Sequence, residues 1–279
     1  MQHQDSQPSV CAVMLTADRP EMALQAIRAW QAQTYRDKHL LIYDTGEDRL
    51  PADKAVYGMI KSVSENYHSL RVTYVRGEKA TIGGMRNSAV AHMDDDICIH
   101  WDDDDWSHPN RIAEQVALLQ LTGADCVGYN EMLFWRETPQ SVKDGYAEVL
   151  RRYPVDPNVP IPEHLQLRPG EAWQYRNQDP SYALGTSLCY WRRAWEAHPF
   201  EATSKGEDWR FTSAVKTVGV TSIDTSAAQF NPFPRMVARI HSSNTSNYDP
   251  REMERAVEWS RVPKWDQYCS GVFSCTGAL

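Results

Sequence analysis

No stretch of this chain approaches the roughly 18 consecutive apolar residues that a membrane span requires. The opening segment, Met1-Gln2-His3-Gln4-Asp5-Ser6-Gln7-Pro8-Ser9, has neither the basic nor the apolar region of a signal peptide. A soluble, cytoplasmic protein is therefore expected. Positive charge is in deficit as well: 29 Lys and Arg against 37 Asp and Glu leave a net charge of −8. A sequence-independent grip on nucleic acid normally needs a basic face, so that class of partner is disfavoured. No internal repeat is visible. Cysteine is sparse, with six residues. Cys11, Cys98, Cys126 and Cys189 fall in apolar, strand-like runs, where a free thiol behaves as a small hydrophobe. Cys269 and Cys275 have no zinc-ligand spacing. Reduced thiols follow.

What is present suits an α/β protein. With 279 residues, 42% of them hydrophobic, the chain can bury a large core and fold alone. Val10 to Leu15 is a continuous apolar run of strand length, of the kind a parallel sheet covered on both faces requires. Asp18 and Glu21 predict a capped helix start with Pro20 in its first turn. His39–Tyr43 and Arg71–Val75 read as further strands, with a helix over 53–66 between them. Gly83-Gly84 opens a helix whose Met85, Ala89 and Met93 share a face, and Ile97–Trp101 is a buried strand. Pro109 starts a helix with Ile112, Val116 and Leu119 inward, Gly123 stops it, and Asp125–Tyr129 resumes as strand. From 130 to 182 the pattern loosens into a proline-rich span that reads as a functional excursion. Ala183–Trp191 and Met236–Ile240 read as strands, and 251–261 as a charged helix. The alternation indicates a βαβ architecture.

The densest chemical signal is His100-Trp101-Asp102-Asp103-Asp104-Asp105-Trp106. Seven Asp lie between 94 and 105. Their repulsion destabilises the fold unless a metal ion or a basic partner sits among them. A solvated acidic loop, or caps for the following helix, is the plainer alternative. The Asp run follows a buried strand, and loops at strand C-termini host ligands in such sheets.

Taken in order, several motifs resemble glycosyltransferase family 2, which uses the GT-A fold. They are Val13-Met14-Leu15-Thr16-Ala17-Asp18-Arg19-Pro20, Ala32-Gln33-Thr34-Tyr35, Leu41-Ile42-Tyr43-Asp44-Thr45-Gly46, Gly84-Met85-Arg86-Asn87-Ser88-Ala89, the Asp-x-Asp at Asp102 and Asp104, Pro109, Gly206-Glu207-Asp208, and His241. The resemblance covers about residues 8–248. It implies a Rossmann-like mixed, mainly parallel sheet flanked by helices, in a single catalytic domain over 1–247. Residues 8–129 would be the nucleotide-sugar half, 130–247 the acceptor and catalytic-base half, and 248–279 a C-terminal extension. The second turn carries one Asp where the family usually has two, and the Asp run is longer than the motif needs.

The implied activity is metal-dependent, inverting transfer of a hexosyl or related glycosyl group from a nucleotide-sugar donor, expected to be a UDP-sugar. Asp208 resembles the catalytic base, and nearby acids should raise its pKa. Its alternative is an ordinary acid at a helix N-terminus; Glu207 would contact acceptor or backbone. Asp104 and Asp102 would hold the metal, with Asp102 toward ribose or metal, while Asp103 reads as a donor contact, a spacer or a cap and Asp105 as a spacer or cap. Thr16, Asp18 and Arg19 fall in the donor loop. Asp44 would accept a hydrogen bond from the donor base, or else hold its own turn before Gly46. Arg86 would contact the pyrophosphate, or pair with one of the seven Asp. His241 would complete the metal site; a structural histidine is the alternative. Imidazole beside carboxylates points to Mn²⁺ over Ca²⁺, with Mg²⁺ as the other choice. Of ten Trp, Trp209 is the first choice for an acceptor contact, and core packing is the general expectation for the rest. The acceptor stays open among a saccharide, a lipid-linked glycan, a protein, a small metabolite and a modified nucleobase.

Three other readings compete. An aspartyl phosphatase or phosphotransferase also starts with Asp-x-Asp after an apolar strand, yet wants Thr or Val where Trp106 stands. A sugar nucleotidyltransferase needs a glycine-rich basic loop that is missing after Leu15. A non-catalytic nucleotide- or sugar-binding module has no use for a base such as Asp208.

Overall fold

The apolar run at the start becomes a strand buried on both faces, and the rest of the sheet is laid out around it. In the computed structural model of the protein, residues 7–66, 71–137, 170–223, 234–241, 244 and 250–274 are described. In chain order they form β1 (Val10–Thr16), α1 (Pro20–Gln31), β2 (Lys38–Asp44), α2 (Lys54–Asn66), β3 (Arg71–Arg76), α3 (Ile82–Val90), β4 (Ile97–His100), β5 (Trp106–Ser107), α4 (Arg111–Thr122) and β6 (Cys126–Glu137). There follow β7 (Gly170–Arg176), β8 (Cys189–Trp191), α5 (Arg192–Ala197), α6 (Glu207–Ala214), β9 (Thr217–Thr221), β10 (Met236–Ile240), α7 (Pro250–Met253), β11 (Trp259–Arg261) and α8 (Asp266–Ser274).

The chain makes two compact units, residues 1–132 with 177–236, and residues 133–176 with 237–279. In the first unit β1 pairs parallel with β2 and β4, and β2 with β3. Strand β8 joins antiparallel to β4 and to the start of β6, and β9 runs parallel to β6. In the second unit the end of β6 pairs parallel with β10, and β11 pairs antiparallel with β7.

Strand periodicity explains the two-sided burial of the first unit. Val10, Ala12 and Met14 face a cluster with Ala23, Ala26, Ile27 and Trp30 of α1 and Ile112, Val116 and Leu119 of α4. Cys11 and Val13, one residue out of phase, face Ala89 and Val90 of α3 and Met93. Each Val, Ile, Leu or Met among them stabilises the fold by roughly 1.5–3 kcal/mol relative to exposure. Replacing one of them with a charge would break the face it serves.

Several boundaries differ from the sequence expectation, each for a local reason. Asp18 does not cap α1. Arg19 occupies the cap position without a side-chain bond, and Asp18 takes φ 54° while its Oδ1 accepts from the Asp48 N–H at 3.1 Å. Helix α4 starts at Arg111 rather than Pro109, after Asn110. Gly123 ends it as expected, at φ 57°. Thr81 caps α3 by accepting from the Gly84 N–H at 3.2 Å. The loosened span begins later than 130, because β6 continues to Glu137, and β7 lies within it; residues 138–169 lie outside the described residues. Residues 185–187 of the expected strand over 183–191 form a 3-10 turn. The charged stretch 251–261 is not one helix; α7 has four residues and β11 follows, paired to β7. Cys11, Cys98, Cys126, Cys189 and Cys269 are buried free thiols, and Cys275 lies outside the described residues.

Candidate functional site

Parallel strands deliver their C-terminal ends to one edge, and the acidic loop sits there. β1 ends at Thr16, whose register partner on β2 is Asp44, and the loop after β4 carries Asp102 to Asp105. Thr16 Oγ1 donates to Asp103 Oδ2 at 2.7 Å. Arg19 reaches both Asp103 Oδ1, at 2.7 Å, and Asp104 Oδ2, at 3.2 Å. Asp103 is therefore no spacer: it is 1% exposed and anchors the loop to the end of β1. Burial pushes its carboxyl up to about 7, against the lowering effect of Arg19. Burial also works against the charge of Arg19, and the Asp103, Asp104 and Asp102 charges outweigh it, so that its pKa is raised. Arg19 is thus a basic partner for Asp103 and Asp104, as Arg71 is for Asp95 and Arg192 for Asp94.

With Asp103 held this way, carboxylate oxygens of Asp102, Asp104 and Asp105 converge, all within 4.8 Å of one another. Three hard oxygen donors at that separation fit a divalent cation such as Mn²⁺ or Mg²⁺. Burial raises the pKa of Asp102, with Arg86 opposing and Asp104 adding to the rise. Asp105, which the sequence offered as a spacer or cap, belongs to this trio. The signal was there in the unbroken run of four Asp.

Asp44 is 1% exposed. Its Oδ1 accepts from the Gly46 N–H at 2.9 Å, and its Oδ2 accepts from the Leu50 N–H at 2.9 Å and the Tyr74 hydroxyl at 2.8 Å. Both oxygens thus serve the turn, as in the alternative reading of this residue. Gly46 has to be glycine there, because a Cβ would lie 2.5 Å from Asp18 Oδ1. The loops after β1 and β2 are packed together at that point.

Arg86 pairs with Glu207, not with an Asp: Nη1 donates to Oε1 at 2.6 Å. The next residue, Asn87, clamps the segment before α6, donating to Phe200 O at 2.7 Å and accepting from the Phe200 N–H and the Trp195 indole, both at 2.9 Å. These contacts fix the start of α6, where Gly206 adopts φ 76° and Asp208 follows. Asp208 is half-buried, and its Oδ1 accepts from the Trp209 N–H at 2.8 Å. Its carboxylate lies against Gly185, where an added Cβ would come 2.2 Å from Oδ2. Trp209 beside it is 57% exposed, whereas Trp101 and Trp173 are buried core residues.

His241 belongs to the second unit. It is 8% exposed, and its N–H donates to Asn244 Oδ1 at 2.5 Å. A second trio of ligand-type side chains, Cys11, His39 and Asp95, is fully enclosed in the first unit. Its groups are committed internally: Asp95 accepts from His39 Nδ1 at 2.8 Å and from Arg71, while burial keeps the Cys11 thiol protonated. Among the described residues no helix is long and apolar enough to cross a membrane.

The profile of glycosyl transferase family 2 matches residues 11–172 of the chain. No curated protein sequence matches it. Among solved structures, the 1–349 portion of S. aureus TarS in complex with UDP-GlcNAc is similar, with TM-score 0.53 and 11% identity, over 88% of this chain and 64% of that one. S. aureus TarS itself gives TM-score 0.52 at 11% identity, over 83% of this chain and 37% of that one. The mannosyltransferase PcManGT from Pyrobaculum calidifontis, in complex with GDP-Man and Mn²⁺, gives 0.53 at 14% identity, over 96% and 65%. The chain thus spans less than two thirds of the length of these proteins. At such identity the likeness is one of fold, the mixed, mainly parallel sheet flanked by helices of the GT-A type.

Proposed function

This chain belongs to glycosyl transferase family 2, and we propose that it is a metal-dependent, inverting glycosyltransferase that moves a sugar from a UDP-sugar to an acceptor hydroxyl. The observation that carries the reading is the convergence of Asp102, Asp104 and Asp105 within 4.8 Å in the same unit as Asp208, a carboxylate outside that trio. Structures of TarS 1–349 with UDP and with UDP-GlcNAc support the choice of base; GDP, found as GDP-Man in the PcManGT structure, is the comparison to test.

Asp104, Asp102 and Asp105 would hold Mn²⁺ or Mg²⁺, which when bound supplies Lewis-acid neutralisation of the leaving diphosphate. Arg19 and Thr16 hold Asp103, so the loop is in place before a donor arrives, and Asp18 ties the loop after β1 to the one after β2 through the Asp48 N–H. Asp44 orders the turn after β2 beneath the proposed position of the base. Asp208 would take the acceptor hydroxyl proton as that oxygen bonds to the anomeric carbon and the bond to the diphosphate breaks, its electron pair leaving with the nucleotide. Arg86, through Glu207, fixes the helix that carries Asp208. Residues 8–129 are proposed as the donor half and 130–247 as the acceptor half. Trp209 offers an exposed indole next to the base, suited to the apolar face of a sugar ring. That favours a saccharide acceptor.

The test is calorimetric titration of UDP and GDP, with Mn²⁺ and with chelator, on wild type and Asp104→Ala. The expected result is metal-dependent binding of UDP that the substitution abolishes. Binding of neither nucleotide under any condition would sink the proposal.

A further inference from the structure

Between the acidic loop and Asp208 lies a three-residue 3-10 turn, Gly185–Ser187, that neither sequence motif touches. It is bonded to one partner after another. His100 Nδ1 approaches Gly185 O at 2.5 Å. Thr186 Oγ1 donates to Asp105 Oδ2. Arg111 Nη2 donates to His100 O at 2.9 Å and Thr186 O at 3.3 Å, bridging the end of β4 to the turn. Gln115 Nε2 donates to Ser187 O at 2.8 Å. On its far side the turn meets the base: the missing Cβ of Gly185 is where the Asp208 carboxylate packs.

We propose that this turn is the element that sets Asp208 relative to the metal-binding carboxylates, with His100 and Thr186 as its positioning residues. The inference rests on the glycosyltransferase reading above. A carbonyl oxygen only accepts, so His100 must carry its proton on Nδ1. In the neutral ring that leaves Nε2 as a bare acceptor, and Nε2 is indeed buried without a partner. Tyr190 and Phe200 pack against the imidazole, with ring centroids 5.6 and 5.5 Å away, and enclose it. One hydrogen bond is therefore the whole polar function of a 2% exposed histidine, and it is directed at the residue beneath Asp208. Thr186 makes the complementary link, orienting Asp105 for a cation. A shift of the turn moves the base and the metal ligands together, and an ångström-scale misplacement of a reacting group costs about 100-fold in rate.

The variants are His100→Leu, His100→Asn, Thr186→Val and Thr186→Ser. Each is compared with wild type in nucleotide release from a panel of UDP- and GDP-sugars with Mn²⁺, in Mn²⁺ affinity measured with the nucleotide present, and in thermal midpoint. His100→Leu is expected to lower kcat at least ten-fold while nucleotide Kd stays within two-fold. His100→Asn, whose amide N–H takes the place of Nδ1–H, should recover most of that loss. Thr186→Val should weaken Mn²⁺ at least ten-fold and Thr186→Ser should not. If His100→Leu does not fold, the threonine pair and His100→Asn still decide. Wild-type turnover in His100→Leu, or equal Mn²⁺ affinity in Thr186→Val and wild type, overturns the inference and leaves the glycosyltransferase reading standing. Failure of the wild type to bind nucleotide or release it from any donor overturns both.

Discussion

Arg86 and Glu207, 121 positions apart in the chain, meet in a 2.6 Å ion pair with side chains only 9% and 6% exposed. The pair locks α3 to the first turn of α6, the turn that carries Asp208. Removing one partner of a buried pair leaves an uncompensated charge and costs about 3–5 kcal/mol. Arg86→Met is therefore expected to destabilise the protein by about that much, and Arg86→Met with Glu207→Leu to recover most of it, as read from denaturant unfolding. The pH dependence has a defined sign. Burial already holds Glu207 above its ordinary value, with Arg86 opposing. The folded protein keeps that proton to higher pH than the unfolded chain, so this contribution to stability falls as pH rises from about 4.3 through the folded value. Without Arg86 the fall should extend to higher pH.

Trp209 follows Asp208 in the first turn of α6 and is 57% exposed. Trp209→Ala should leave unfolding stability within about 0.5 kcal/mol of wild type, as for surface positions. Transfer to a saccharide acceptor should fall at least ten-fold while nucleotide release to water is unchanged. Equal loss in both reactions would assign Trp209 to the donor or the fold instead of the acceptor.

The sheet was legible because both of its signals are local. Val10–Leu15 and Leu40–Tyr43 are unbroken apolar runs, and Gly123 ends α4 in the left-handed conformation that favours glycine. The acidic loop was legible as a place for positive charge, since like charges at that density require it. Which positive charge was not: Arg19 lies 84 residues from Asp103, and the chain itself gives no measure of their approach. Asp44 shows the same limit from the other side. Its turn-forming role was one of two readings, and only the Leu50 N–H and the Tyr74 hydroxyl, six and thirty positions away, show how fully it is occupied. Arg86 reads from the sequence as a pyrophosphate contact or as the partner of one of the seven Asp. The tertiary fold brings Glu207 closer. The Gly185–Ser187 turn reads as strand from composition, and its role depends on His100, Thr186 and Arg111 arriving from different elements.

Asp95 gives a prediction on the acid side. Its side chain is fully buried, with Oδ2 2.8 Å from His39 Nδ1 and Oδ1 against Arg71, while His39 Nε2 meets the Thr73 hydroxyl at 2.8 Å. The result is a polar chain across the N-terminal ends of β2 and β3, away from the acidic loop. Burial acts to raise the Asp95 pKa, and the hydrogen bond and charge of His39 together with Arg71 outweigh it, leaving the value below the ordinary one. The unfolded chain therefore takes up this proton at higher pH than the folded protein does. The stabilisation is fully present above about pH 3.9 and is lost as pH falls through the folded value. Asp95→Asn keeps an acceptor for His39 but presents no charge to Arg71, and a hydrogen bond to a charged group contributes about 1.5–3 kcal/mol. The variant should be destabilised by about that amount in urea unfolding at pH 7 and pH 5. The gap between variant and wild type should narrow at pH 3, since the unfolded wild-type chain then takes up the proton that the folded protein resists. All other carboxylates titrate alike in the two proteins, so a gap that stayed constant from pH 7 to pH 3 would show that Asp95 does not act through its charge.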